Sequence, residues 1–341
     1  MRTRFALFDR LARDGGAPVR SRPLAAWPVF DGEALEAVER VLKSGQVNYW
    51  TGQECREFER EFAAFVGARH AVAVANGTVA LELALTTVGV QPGDEVVVPP
   101  RTFVATASAV AMLKAKPVFA DIDSQSGNVT AETIAAVLTP ETTAIVIVHA
   151  FGWPADMPAI MALAEKNNLK VIEDCAQAHG AGIDGRQVGT FGHINTFSFC
   201  QDKIMTTGGE GGMVTTSCSE LWEKAWSYKD HGKSWDACYN REHETVFKWL
   251  HESIGTNWRM TEMQAAIGRV AVRRLPGWIA RRRANAERLS DLLDEIPGFE
   301  VARLPSGYEN ACYKFNVMLT RDALAGTWTR DDVVRAIQAE G

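Results

Sequence analysis

The sequence predicts an α/β protein: a mostly parallel central sheet flanked by helices, with a smaller C-terminal α/β domain that looks cut short. Three observations carry this. From residue 71 short β-branched runs alternate with helical patterns, which is the signature of parallel strands joined by covering helices. Turn punctuation such as Gln91-Pro92-Gly93-Asp94 and Asp184-Gly185 separates several of these segments. The 341 residues, 46% hydrophobic and 23% charged, suffice for a large core shared by two lobes.

In order, GEALEAVERVLKS (32–44) and QECREFEREFAAFV (53–66) read as amphipathic helices joined by an irregular stretch, Gly45 to Gly52. The strand-like runs are AVAVA (71–75), EVVVPP (95–100), KPVFADI (116–122), TAIVIVHAF (143–151), KVIEDC (170–175) and TFSF (196–199), with helical VALELALTTVGV (79–90) after the first. Arg259 to Arg274 and Pro276 to Leu293 read as two successive helices, with Pro276 in the first turn of the second. FEVARLP, CYKFNVML and DDVVRAIQAEG then begin the smaller lobe. The expected division is 1–250 for a large domain with an N-terminal helical segment, and 251–341 for connecting helices and an incomplete small domain.

A net charge of −6 argues against general nucleic-acid binding, which draws on clustered Lys and Arg. Six scattered cysteines show no CxxC pair or zinc-type spacing, so no metal and no disulfide framework is expected. The apolar stretch near the N-terminus is broken by Asp9, Arg10 and Arg13, and no run approaches spanning length. A soluble cytoplasmic protein is the expectation.

In open α/β sheets ligands gather beyond the carboxyl ends of strands. After AVAVA, Asn76-Gly77-Thr78 opens a helix whose free amides suit a phosphate, although the same residues make an ordinary capped turn. Asp174 ends KVIED, with Gln177 and His179 just beyond; a buried acid there needs a cationic partner, or else caps the next segment. Lys203 follows TFSF by four residues and precedes GGEGG, whose glycines allow close backbone approach, and Ser198 adds a hydroxyl. A lysine so placed can join a carbonyl as an imine and later carry a proton, whereas most lone lysines are simply solvated. Together the parts suit pyridoxal 5'-phosphate, which requires a lysine, an acid for its ring nitrogen and an anion cradle.

NGTVALELAL, PPRTFVATASAV, VIEDCAQAHGA, FSFCQDKIMTTGGEGGM and GTNWRMTEMQAAIGRV, in order from about residue 24 to the end, resemble the DegT/StrS group of fold type I aminotransferases. The resemblance implies a pyridoxal-phosphate enzyme moving an amino group from glutamate or a similar donor to a keto-sugar, mainly one carried on a nucleotide. It implies that Lys203 holds the cofactor covalently and moves the proton, that Asp174 pairs with the ring nitrogen, and that Gln177 contacts the ring hydroxyl. Phe103 would stack on the ring, and Gly77, Thr78 and Ser198 would hold the phosphate. Asn257 would reach the phosphate of the neighbouring subunit, which implies a homodimer with shared sites.

Blander readings stand beside these. Phe103 is an ordinary core aromatic in one. In another, Asn257 caps the helix RMTEMQAAIG with Glu262 a surface charge, and Gln177 and His179 satisfy loop backbone. His149 reads as a core histidine, and His231 in KDHGK is open. Related enzymes aminate cyclitols or make aminated aromatic precursors, and Ser227 to Ile254, with Trp235, Tyr239 and Trp249, is where acceptor contacts would vary. Sugar dehydratases of this fold carry histidine at the lysine position, which Lys203 disfavours; a cofactor-binding regulator without turnover is the rival of another class. Family members usually continue several tens of residues past the equivalent of Gly341, so a partly uncovered small lobe with weak stability or impaired activity is also expected.

Overall fold

Why the chain makes alternate layers is visible strand by strand in the computed structural model, which describes residues 10–242, 251–320, 324, 326 and 328–341. Trp249 lies outside the described residues. Helices α1 (Gly32–Ser44) and α2 (Glu54–Val66) come first, α1 capped by the Asp31 carboxylate. Then β1 (His70–Val74), α3 (Gly77–Val88), β2 (Glu95–Val98), α4 (Ala105–Met112), β3 (Lys116–Phe119), α5 (Ala131–Ala135), β4 (Thr142–Val148), α6 (Met157–Lys166) and β5 (Lys170–Asp174) alternate as the apolar runs predict. Two short strands, β6 (Gly182–Ile183) and β7 (Arg186–Gln187), precede β8 (Ile194–Ser198) and β9 (Gly212–Thr216). Helices α7 (Ser219–Lys229) and α8 (Trp235–Tyr239) follow.

The seven-stranded sheet has the order β1-β9-β8-β5-β4-β2-β3. Strands β8, β5, β4, β2 and β3 pair in parallel, and β9 runs antiparallel to both neighbours, β1 and β8. Side chains therefore alternate between two apolar layers: Ala71 and Ala73 of β1 join Phe58, Phe62 and Phe199 on one face, while Val72 and Val74 join Leu81, Leu85 and Trp226 on the other. Two-sided burial explains why these strands read as near-continuous apolar runs.

One expectation is corrected. Instead of two helices meeting at Pro276, a single helix, α9, runs from Glu262 to Asp294 with Pro276 inside it. Proline lacks the N–H for one intrahelical bond, yet buried Ala265, Ala271, Leu275 and Ile279 pack one stripe of α9 onto the Phe58–Phe199 layer on both sides of it. Residues 259–261 are not helical; Arg259 instead bridges Val74.

The chain gathers into two compact units. One comprises Phe30–Ala286 and Leu304–Phe315, so about the first seven turns of α9 belong to the same unit as the sheet. The other draws on Met1–Val29, Glu287–Arg303 and Asn316–Gly341. In it, β10 (Phe299–Glu300) pairs with a two-residue strand at Met318–Leu319, and α10 (Arg330–Ala339) ends where Glu340 accepts from the amides of Ala12 and Val19. Among the described residues no helix is long and apolar enough to cross a membrane.

Candidate active site

Strands β1, β5 and β8 are parallel to one another, so their carboxyl ends open on one edge of the sheet, into a cavity of about 520 Å³. Gly77, Thr78, Phe103, Asp174, Gln177, Ser198 and Lys203 all line it.

The residues expected to cradle an anion come together where α3 meets β8. Asn76 caps α3 by accepting from Val79 N–H at 3.0 Å, which leaves the first-turn amides of Gly77 and Thr78 without intrahelical acceptors. A Cβ on Gly77 would lie 2.7 Å from Ser198 Cβ, so only glycine lets the helix start this close to the Ser198 hydroxyl. Gly212 closes the floor: a Cβ there would meet the Asn76 carbonyl oxygen at 2.3 Å.

Asp174 is buried at the end of β5, accepting from Thr106 Oγ1 at 3.0 Å and from Ala176 N–H at 3.1 Å. Burial pushes its pKa up, with those two hydrogen bonds opposing. Among the described residues it forms no ion pair, so a cation arriving in the cavity would find a desolvated carboxylate aimed by two donors. Gln177 takes Phe151 N–H on its carbonyl oxygen at 2.7 Å, so that part of the loop-backbone reading holds, and the residue also lines the cavity. Phe103 is not core: it is 69% exposed, a large apolar ring left at the cavity rim.

Lys203 sits in the wall with its Nζ 3.4 Å from Asp202 Oδ1 and 3.5 Å from Tyr313 Oη. Residues not read from the sequence thus complete the site: Thr106 braces Asp174, and Asp202 and Tyr313 attend Lys203. A threonine on the helix after PPRTF and an acid beside the lysine were signals in plain view; nothing local marks Tyr313, which arrives from 110 residues away.

Asn257 is apart from this cavity. It is exposed and bridges Asp230 rather than capping α9, whose first turn is served by Thr261. Glu262 is not a surface charge either: it is fully buried and accepts from the amides of Glu54 and Cys55, capping α2 from another element. His149 is a core histidine, accepting Ala155 N–H at Nδ1 and therefore donating from Nε2 to Glu173, 2.9 Å away. His179 is fully buried among Phe62, Phe197 and Phe199, and burial lowers its pKa to about 3. His231 is exposed outside the cavity, and Trp235 and Tyr239 pack against Trp226.

Known proteins resemble this chain in sequence and fold. Residues 28–341 match the DegT/DnrJ/EryC1/StrS aminotransferase family. An Acidithiobacillus ferrooxidans UDP-N-acetyl-3-dehydro-α-D-glucosamine 3-aminotransferase is 41% identical over 91% of this chain and 78% of its own length. A Streptoalloteichus tenebrarius L-glutamine:2-deoxy-scyllo-inosose aminotransferase is 38% identical over 93% and 76%. The crystal structure of an aminotransferase from Psychrobacter cryohalolentis, 54% identical, superposes with a TM-score of 0.90 over 92% of this chain and 81% of that one. The architecture is that of fold type I aminotransferases, and the chain belongs to the DegT/DnrJ/EryC1/StrS aminotransferase family.

Proposed function

We propose that this enzyme uses pyridoxal 5'-phosphate to move an amino group from glutamate, or a similar donor such as glutamine, to a keto-sugar carried on a nucleotide. The carrying observation is the convergence of a lysine, a buried acid and an anion cradle on one cavity. The fit is chemical: an unpaired desolvated carboxylate suits a protonated ring nitrogen, a glycine-lined helix start suits a phosphate, and an exposed aromatic ring suits a flat heterocycle. When bound, pyridoxal phosphate supplies an aldehyde for an amine and a ring that takes up electrons as a C–H bond breaks.

In this reading Asp174 keeps the proton on the ring nitrogen, Thr106 and Ala176 fix its carboxylate, and Gln177 donates to the ring hydroxyl. Gly77, Thr78 and Ser198 hold the phosphate, and Phe103 covers one ring face. Lys203 Nζ takes the proton from the donor's α-carbon and returns it. Asn257, exposed and away from its own cavity, would serve the phosphate in the partner's site of a homodimer.

The test is to add glutamate to the loaded protein and follow the visible cofactor band with the 2-oxoglutarate released, then to offer keto-sugar nucleotides and look for amination by mass spectrometry. Loss of the band with keto-acid release is expected. Lys203→Ala should abolish transfer, by about 10⁴-fold or more; full retention of activity would overturn the assignment.

A further inference from the structure

The backbone that delivers Tyr313 is strained. Cys312 has φ 52°, and Phe151, on which the segment docks, has φ 59°. Non-glycine residues held in the left-handed region cost about 1–3 kcal/mol each and persist where their surroundings over-determine them. Here they do: Tyr313 N–H donates to the Phe151 carbonyl at 3.1 Å, Ala311 N–H to that of Gly152 at 3.0 Å, and Cys312 N–H to Asn310 Oδ1 at 2.7 Å. Arg282 donates to the Cys312 carbonyl at 3.3 Å, and Phe151 N–H is held by Gln177 in the cavity wall. Two strained turns clamp each other, and the result is a phenol beside the Lys203 amine.

The hydrogen-bond directions are fixed. Tyr313 O–H donates to Asp202 Oδ2, so its oxygen can only accept from Lys203, whose Nζ also lies 5.1 Å from the ring centroid. Burial first, then the Asp202 hydrogen bond and charge, push the phenol well above its usual pKa, so it stays protonated and is no base. Although partial burial opposes it, the Tyr313 hydrogen bond and the Lys203 charge hold Asp202 below the usual carboxylate range, so it stays ionised.

We propose that Tyr313 and Asp202 form a receiving site that takes up the Lys203 amine whenever it is not covalently held, and are positioning residues for its proton transfers. This rests on the reading of Lys203 given above. Without the receiver, a long side chain must be re-ordered for each transfer, so the loss falls on turnover rather than on substrate binding.

The full chain tests this with Tyr313→Phe, Asp202→Asn and the double variant. Tyr313→Phe keeps the ring, and the Asp202 side chain is 61% exposed, so neither change should disturb packing. Without cofactor, brief acetic anhydride labelling read by peptide mass spectrometry should show Lys203 modified about three- to tenfold faster relative to Lys43, an exposed lysine on α1. The double variant should exceed neither single by much, because the pair acts as a unit. With cofactor, kcat should fall about ten- to a hundredfold with the donor KM within twofold. An unchanged Lys203-to-Lys43 ratio in both single variants, or labelling that rises equally at both lysines with a falling Tm, overturns the proposal. Failure of the underlying reading shows separately: borohydride reduction of the loaded, unaltered protein would then leave no cofactor on Lys203.

Discussion

At the scale of single residues, the groups that were legible in the sequence are those whose chemistry conflicts with their local setting. Asp174 ends an apolar strand and Lys203 stands between an apolar run and glycines, so each asks for a partner. Tyr313 was not legible because its neighbours reach it only through the fold, and Thr106, though in plain view on the helix after PPRTF, meets Asp174 only through the fold. Gly77 allows a sharp test. Gly77→Ala should favour the helix slightly yet push Ser198 aside, so cofactor affinity should drop about tenfold, or about 1.4 kcal/mol, in a visible titration. His179 carries a pH prediction. Its imidazole is neutral in the folded protein down to pH about 3, whereas the unfolded chain binds a proton below about 6.5. The unfolded state therefore binds more protons in that window, and its contribution to stability is lost as pH falls through it, by up to roughly 5 kcal/mol at the acid end. Urea unfolding from pH 7 to 4 should show a shallower decline for His179→Phe than for the unaltered protein.

At the scale of elements, period and capping residues gave the helices and parallel strands, since β-branched runs buried on both faces leave little ambiguity. Strand β9 was hidden because it fits between β8, which precedes it directly, and β1, which is remote in sequence. The continuity of α9 was hidden for a related reason: Pro276 argues for a break locally, and burial on both sides of it overrules that argument. Glu262 shows an element completed from afar. It satisfies two amides at the start of α2, and Gly52 makes room for it, since a Cβ there would lie 2.3 Å from Oε2. Glu262→Ala should leave those amides without a partner and cost about 1–3 kcal/mol, read as a lower urea midpoint with an unchanged m-value.

At the scale of the whole molecule, alternation of strand and helix was enough to give the sheet class, while the division into compact units depends on which stretch of α9 the sheet layer covers. A fully buried lysine ties several elements together. Lys229 of α7 lies 3.6 Å above the Tyr49 ring and 3.4 Å from Glu59 of α2, which also accepts from Ala73 of β1. Lys229→Met alone should cost about 3–5 kcal/mol by leaving Glu59 uncompensated, and adding Glu59→Gln should restore part of it in thermal unfolding. One further consequence follows from Gly212, which pairs with both Val74 and Ser198 while lying under the Asn76 carbonyl. A shift of β9 by one position would thrust Met213 or Gly211 into that place and turn every inward side chain outward. The pocket between α3 and β8 therefore cannot exist before its sheet is sewn shut, and under the proposed function a phosphate held there would report finished folding.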